Sequence, residues 1–217
     1  TQEVVGTVFI DDCQWDRSAE YQNIGNVVRD TTNGRISLIG ADAAGAVVNS
    51  VKPGVGIYEF ETSMEALDDS GFNFVLLSTN NTICSSSTDP DCTIYDIYYY
   101  GASGSVFVRK FVAGVKSDEA SYVPNLSINT WHKFRVEVTA TNILVYQDGV
   151  LMITFPKDVT FTTGYVAFSK GTNSNVHYRN IQIIAAESGS TNGIAACIPP
   201  IGGGARYGVE ESVYIPI

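Results

Sequence analysis

The fold is decided by residues 131–155, which read WHKFRVEVTATNILVYQDGVLMITF. Apolar and polar residues alternate along this stretch, and a period of two is the pattern of a strand with one buried face. Asp148 and Gly149 stand between two such runs, at residues 143–147 and 150–155. An Asp-Gly pair at this place favours a two-residue hairpin turn, because its positions require positive φ. The stretch therefore predicts consecutive antiparallel strands joined by short turns.

The same alternation recurs along most of the chain, and helical periodicity is almost absent. The predicted strands cover residues 4–10, 27–30, 36–39, 47–51, 56–64, 72–79, 94–100, 106–111, 131–139, 143–147, 150–155, 165–169 and 176–184. Many short strands with Gly, Asn, Asp and Ser between them predict an all-β, two-sheet antiparallel jelly-roll sandwich. We expect this domain to cover residues 1–197, with a Pro/Gly hinge and a strand-like tail at residues 198–217.

Three stretches carry a family likeness. They are residues 131–155, residues 164–183 (GYVAFSKGTNSNVHYRNIQI), and the segments GIYEFETSME and GFNFVLLST within residues 56–79. Together they resemble the concanavalin A-like jelly rolls, which include laminin G-like modules, over residues 56–184. That superfamily contains lectins, carbohydrate-binding modules, adhesion domains, glycosidases and lyases. The resemblance therefore implies the fold and leaves the function open.

The composition of the chain indicates which kinds of partner it can bind and in which compartment it is found. The chain has 217 residues, with 13 basic and 23 acidic side chains and a net charge of −10. This charge opposes binding to nucleic acid, and the apolar runs are too short to cross a bilayer. A start at Thr1 without a leader is typical of a mature secreted protein, and Asn80 and Asn125 begin glycosylation sequons. We therefore expect an extracellular or cell-surface glycoprotein.

The four cysteines allow three disulfide pairings. Cys84 and Cys92 bracket the polar stretch SSSTDPD, which a short disulfide would pin. Cys13 and Cys197 lie near the two ends of the predicted domain. We favour the pairing Cys84–Cys92 with Cys13–Cys197. The cysteine and histidine spacing matches no zinc site.

Acids on strands are the first candidates for catalytic residues. Glu59 and Glu61 share one strand face, and Glu65 lies farther along. They do not reproduce the Glu-x-Asp-x-Glu arrangement of the family 16-like glucanases within the superfamily. Acids on a solvated strand face are the favoured interpretation. His132 and His177 belong to no catalytic or metal motif and are interpreted as structural. We expect no catalytic activity.

A structural calcium ion is a further possibility, because laminin G-like and lectin domains often bind calcium. Short acidic clusters in predicted loops are the candidate ligands: Asp11, Asp12, Asp68, Asp69, Asp89 and Asp91. None has the spacing of a defined calcium loop, and turn formation accounts for them. We therefore expect no cofactor, with structural calcium left open.

A second hypothesis about function comes from TIYDIYYYG, residues 93–101. Alternation assigns one row of side chains to the sandwich interior: Tyr95, Ile97 and Tyr99. The opposite row, Asp96, Tyr98 and Tyr100, would form an aromatic platform with a carboxylate acceptor for sugar hydroxyls. The same row would also suit a protein contact. A tyrosine-rich strand without any ligand is the plainer alternative.

The tail suggests self-assembly. After the glycines of residues 202–204, alternation resumes and places apolar residues along the final stretch: Val209, Val213, Tyr214, Ile215 and Ile217. Such a strand can add to a sheet edge of a neighbouring subunit or dock on its own domain. The leading hypothesis is a non-catalytic structural subunit of an extracellular assembly. A glycan-binding module is the alternative, and a glycosidase using Glu59 and Glu61 comes third.

Overall fold

Two antiparallel sheets pack face to face in the computed structural model, which describes residues 6–67, 71–81, 92–172 and 175–187. Within these ranges there is no α-helix, and the one helical turn is a 3-10 turn at Ser18–Glu20. The predicted all-β jelly-roll sandwich is confirmed. The tail at residues 198–217 lies outside the described residues, so the division of the chain at residue 197 stays a prediction.

The first sheet has eight strands. They are β1 (Gly6–Asp11), β3 (Val27–Asp30), β4 (Arg35–Leu38), β6 (Pro53–Met64), β11 (His132–Val138), β12 (Asn142–Gln147), β13 (Val150–Pro156) and β15 (Val176–Glu187). Their order across the sheet is β13-β12-β11-β6-β15-β4-β3, and β1 pairs with the later part of β15.

The second sheet has seven strands in the order β10-β9-β8-β7-β14-β5-β2. They are β2 (Tyr21–Ile24), β5 (Ala44–Val48), β7 (Phe72–Ser78), β8 (Ile94–Tyr100), β9 (Ser105–Val112), β10 (Val115–Tyr122) and β14 (Tyr165–Lys170).

The turn between β12 and β13 forms as predicted. Asp148 and Gly149 have φ of 49° and 85°, and the strands on either side pair antiparallel. Two positive φ values in succession define the turn type whose twist matches that of a hairpin. The Asp-Gly pair therefore fixes the register of this edge of the first sheet.

Two strands were not predicted, and both lie at edges of the second sheet. β10 exposes side chains on both faces, so its sequence VKSDEASY shows no apolar alternation. β2 has four residues and a single buried side chain. A pattern based on one buried face fails for strands that bury neither face continuously.

Inward-facing side chains from both sheets form the core. Phe60 on β6 lies at its centre and is 1% exposed. Its ring centroid is 4.7 Å from that of Phe74, 5.5 Å from Phe168 and 5.6 Å from Phe134. These partners come from both sheets, so Phe60 links the two layers directly.

Cys13 differs from the prediction, because its thiol is free and fully buried. Its sulfur lies 3.9 Å from the carbonyl oxygens of Asp11 and Tyr178, inside the sandwich. The predicted disulfide from Cys13 to Cys197 is therefore not formed at Cys13, and Cys197 lies outside the described residues. Cys92 is disulfide-bonded. Its predicted partner, Cys84, also lies outside them, so that pairing stays a prediction.

Replacing Phe60 by Ala is expected to lower the free energy of unfolding by about 3–5 kcal/mol, because the cavity opens between the two sheets. Urea denaturation monitored by circular dichroism measures the loss. Val150, 61% exposed on an edge strand, supplies the matched control, and its replacement by Ala is expected to change stability by less than about 0.5 kcal/mol. Equal effects of the two substitutions would contradict a core centred on Phe60.

Cys13 is expected to resist alkylation in the native protein. Burial raises the pKa of its thiol to about 12, so the reactive thiolate is scarce at mildly alkaline pH. Peptide mapping after iodoacetamide treatment should find Cys13 unmodified in the folded protein and modified in urea without a reductant. An unmodified Cys13 in urea would mean that the residue is in a disulfide after all.

Candidate functional site

Three charged side chains form a row across the outer face of the second sheet. The strand register places Asp96 of β8 opposite Arg109 of β9, and Arg109 opposite Glu119 of β10. Residues opposite each other on paired strands project to the same face. This face points away from the core, because the next residue on β8, Ile97, is part of the core. We call Asp96, Tyr98, Arg109 and Glu119 the Arg109 site.

A buried carboxylate holds the guanidinium of Arg109 in a fixed plane. Arg109 Nε donates to Asp96 Oδ1 at 2.9 Å, and Nη2 donates to Oδ2. Asp96 is 2% exposed, so burial raises its pKa, whereas the hydrogen bonds and charge of Arg109 oppose that rise. Burial also lowers the pKa of Arg109, but the partnership with Asp96 outweighs this effect. Because the contact is bidentate, Asp96 fixes both the position and the orientation of Arg109.

Aromatic rings flank the same guanidinium. Its carbon lies 4.4 Å from the ring centroid of Tyr98 and 5.2 Å from that of Phe111. Among the described residues, Arg109 Nη1 has no hydrogen-bond partner. Tyr100 lies beside Tyr98, with ring centroids 6.0 Å apart and an interplanar angle of 24°. The face therefore offers fixed N–H donors next to two neighbouring tyrosine rings.

The structure brings the predicted sugar-platform residues together but changes their roles. Asp96, Tyr98 and Tyr100 share the outer face, as alternation predicted, and Tyr100 is 38% exposed. Asp96 is nearly inaccessible and both of its oxygens contact Arg109, so it does not serve as the predicted acceptor. Within the ion pair, the partly exposed member is Arg109, whose side chain is 21% exposed and which the sequence reasoning did not identify. An ion pair between an arginine on one strand and an aspartate on another can be recognised only when the register of the two strands is known.

Glu59 and Glu61 lie on the outer face of the first sheet. Lys133 Nζ approaches Glu59 to 2.9 Å, and Arg179 Nη2 approaches Glu61 to 2.7 Å. Each acid is therefore paired with a cation from a neighbouring strand. Both carboxylates are therefore half-buried members of ion pairs on this face, and whether they serve any further role stays a prediction.

His132 has both ring nitrogens in hydrogen bonds. The backbone N–H of Ser127 donates to Nε2 at 3.1 Å, so Nε2 is an acceptor and the ring proton is on Nδ1. Nδ1 then donates to Asp148 Oδ2 at 2.9 Å. His132 thus ties the loop before β11 to the hairpin turn, in agreement with the structural role predicted for it.

Asp11, at the end of β1, lies in a hydrogen-bond network of its own sheet and its neighbours. Asp11 accepts hydrogen bonds from Arg29 Nη2 at 2.5 Å and from Tyr21 Oη at 2.7 Å. No three His, Cys, Asp or Glu side chains converge on one point in the described ranges. The other predicted clusters, Asp68, Asp69, Asp89 and Asp91, lie outside those ranges.

Three other features of the sequence bear on compartment and assembly. Asn125 is exposed and Asn80 is half-buried, so glycosylation at either residue stays a prediction. Val209, Val213, Tyr214, Ile215 and Ile217 of the tail lie outside the described residues. The part of the chain that the structure describes contains no helix long and apolar enough to span a membrane.

The sandwich has the fold of the concanavalin A-like jelly rolls, as the resemblance of its sequence implied. More closely, the chain belongs to the family of the 3-keto-alpha-glucoside-1,2-lyase-like domain, whose model matches residues 15–184. No curated protein sequence matches the chain.

Solved structures share the fold at low sequence identity. A β-glucanase of Bacillus licheniformis has a TM-score of 0.65 at 15% identity, covering 84% of this chain and 99% of its own. A carbohydrate-binding module, CBM66 of Bacillus subtilis, has a TM-score of 0.58 at 16% identity and covers 75% of this chain and 93% of its own. A Bacillus subtilis protein with a galectin-like fold has a TM-score of 0.68 at 10% identity and covers 85% and 98%.

These findings correct two expectations. The expectation of a protein without catalytic activity is wrong, because the chain belongs to a family that takes its name from a lyase. The structural subunit that led the functional hypotheses is also less well supported than its carbohydrate-binding alternative, since the family takes its name from a lyase that acts on a glucoside. Self-assembly through the tail stays a prediction.

Removing the charge of Asp96 tests the buried pair. Asp96→Asn leaves Arg109 without its partner and is expected to cost about 3–5 kcal/mol of stability in urea denaturation. The double variant Asp96→Asn/Arg109→Gln leaves no unpaired charge and should recover much of that loss. As a control, Glu20→Gln removes a partner from the more exposed Arg17–Glu20 pair and should cost at most about 1 kcal/mol. A similarly small effect of Asp96→Asn would contradict a buried, coupled pair.

Proposed function

We propose that this chain binds a glucoside at the Arg109 site and cleaves a 3-keto-glucoside there by 1,2-elimination. The observation that carries the proposal is the guanidinium of Arg109, which is fixed by a buried carboxylate and lies over the ring of Tyr98, to which Tyr100 is adjacent. Membership in the lyase-like family supports the reaction type.

The arrangement suits a sugar on chemical grounds. A pyranose has apolar ring faces and an equatorial rim of hydroxyl or keto oxygens. Tyrosine rings bury apolar surface while keeping a polar hydroxyl, and a held arginine edge donates to oxygen without first losing side-chain freedom. Tyr98 and Tyr100 would contact the ring, and Nη1 of Arg109 would donate to an oxygen on its rim.

Elimination needs a base and a donor in defined places. A keto group at C3 makes the C2 proton acidic, and a base removes that proton while the negative charge develops on the keto oxygen. The C1–C2 double bond then forms, the C1–O bond breaks, and the departing oxygen takes a proton. A fixed cationic donor at the keto oxygen stabilises the charge as it develops, which is the role proposed for Arg109.

Glu119 is the carboxylate best placed to act as the base. It lies directly opposite Arg109 across the β9–β10 ladder, and its side chain is 33% exposed. Lys116 Nζ, 2.9 Å from Glu119 Oε2, holds it in place. Asp96 is excluded from this role, because it is buried and both oxygens are engaged by Arg109.

Secretion is also part of the proposal. Its support is the disulfide-bonded Cys92 and the exposed sequon residue Asn125.

The donor role of Arg109 is tested with p-nitrophenyl 3-keto-α-D-glucopyranoside as probe. Asp96→Asn/Arg109→Gln should lower kcat/KM by about 10- to 100-fold, as expected for the loss of a charged hydrogen bond of about 1.5–3 kcal/mol. Release of nitrophenolate measures the rate, and the thermal unfolding midpoint verifies the fold. Val112→Ala, an exposed position beyond Phe111 on the same strand, is the control and should keep the wild-type rate. A folded double variant with wild-type kcat/KM would overturn the Arg109 site.

The base is tested separately with Glu119→Gln. Loss of general base catalysis should reduce kcat by about 100- to 10,000-fold and leave the affinity for the probe within a few-fold, because the amide keeps the shape but takes no proton. Asp118→Asn, the neighbouring acid on the same strand, is the matched control and should retain full activity. If Glu119→Gln keeps its kcat, another group is the base.

A further inference from the structure

A second group of side chains converges on the outer face of the first sheet, on the opposite side of the sandwich from the Arg109 site. Trp131 directly precedes β11, Glu65 directly follows β6, and His177 and Arg179 lie on β15. The register brings them together, since His177 pairs with Ser63 and Arg179 with Glu61 on the shared strand β6. We call Glu65, Trp131, His177 and Arg179 the Trp131 surface.

His177 connects a buried hydroxyl to an exposed carboxylate. Its Nδ1 is 2.9 Å from Ser37 Oγ, and its Nε2 is 3.1 Å from Glu65 Oε1. Because a carboxylate accepts, Nε2 carries the proton and Nδ1 accepts from the serine hydroxyl. The polarity is that of a serine–histidine–acid relay, but Ser37 is 5% exposed while the Glu65 side chain is 48% exposed. The end of the relay that meets solvent is therefore the carboxylate.

Glu65 is held from a second direction. Asn175 Nδ2 donates to Glu65 Oε2 at 2.7 Å, and Asn175 Oδ1 accepts the backbone N–H of Gly40 at 3.0 Å. The hydrogen bond from Asn175, with that from His177, lowers the pKa of Glu65, so its charged form is favoured. A half-exposed glutamate is normally free to rotate, whereas both oxygens of this one are fixed.

Trp131 is also fixed in position, in its case by contacts with two side chains of β15. The guanidinium carbon of Arg179 lies 4.1 Å from its ring centroid, and the ring of His177 lies 6.5 Å from it. Glu61 Oε2 holds Arg179 through Nε at 2.8 Å and Nη2 at 2.7 Å. Among the described residues, Nη1 of Arg179 has no hydrogen-bond partner. The surface thus combines an indole, a fixed acceptor and a fixed donor.

We infer that the Trp131 surface is a second carbohydrate-binding site, and that its ligand is a neutral sugar unit. The indole supplies an apolar plane, while Glu65 accepts from sugar hydroxyls and Nη1 of Arg179 donates to them. The ionised Glu65 disfavours an anionic sugar or a phosphate. A chain with one site on each sheet can hold a glycan on one side while the opposite side acts on a sugar. This inference stands independently of the reaction proposed for the Arg109 site.

The test is isothermal titration calorimetry of the full chain with cellohexaose, laminarihexaose and maltohexaose as separate probes. Trp131→Ala should abolish binding at one site, and Glu65→Gln should weaken that site about tenfold, as expected for about 1.4 kcal/mol of lost hydrogen-bond energy. The same variants are also measured in the Asp96→Asn/Arg109→Gln background, so that any remaining binding is attributed to the Trp131 surface. Leu144→Ala, a half-buried apolar position on the same face, is the control and should bind like the wild type.

The outcomes separate this inference from the proposed function. Binding that survives Asp96→Asn/Arg109→Gln and disappears with a folded Trp131→Ala variant supports the second site, whatever happens at Arg109. Binding that is unchanged in Trp131→Ala overturns it and leaves the Arg109 site standing. Absence of binding for all three probes also overturns it. Trp131→Ala should release nitrophenolate at the wild-type rate, because the two surfaces lie on opposite sheets.

Discussion

The rest of the sandwich depends on the long antiparallel pairing of β6 with β15. These twelve-residue strands join the first third of the chain to the end of the domain, and β6 also pairs with β11. The backbones approach closely at Gly56, where a β-carbon would lie 2.4 Å from the α-carbon of Ala185. Glycine is required there because any side chain would force the two central strands apart. Once this ladder is set, Phe60 projects inward to the core, and Glu61 projects outward to hold Arg179.

Both candidate surfaces follow from one physical rule. The side chain of a charged group at the surface is fixed in one conformation when a more buried residue makes hydrogen bonds to it. Asp96, at 2% exposure, holds Arg109, and His177, at 6%, holds Glu65. Burying such polar groups has a cost, which their hydrogen bonds offset. The benefit is that the exposed partner is already oriented before a ligand arrives, so less conformational entropy is lost on binding.

Alternation in the sequence was sufficient for the sandwich and for the face on which Asp96, Tyr98 and Tyr100 lie. It was insufficient for Arg109 and Glu119, because alternation determines the face but not the neighbour on the next strand. Arg109 becomes meaningful only when the β8–β9 register sets it opposite Asp96, and Glu119 only when β10 is recognised as a strand. The polar edge strand β10 has no alternation of apolar and polar residues. Its sequence therefore predicted neither the strand nor Glu119, the proposed base that lies on it.

The same reasoning explains why the sequence suggested a protein without catalytic activity. Acids that share one strand, such as Glu59 and Glu61, are visible in a sequence, whereas the Arg109 site distributes its charges over three neighbouring strands. An elimination does not require two acids across a glycosidic bond. It requires one base and one fixed cation at a carbonyl oxygen, the roles that the proposal assigns to Glu119 and Arg109. A search pattern built on acids of one strand therefore could not find charges that lie on neighbouring strands.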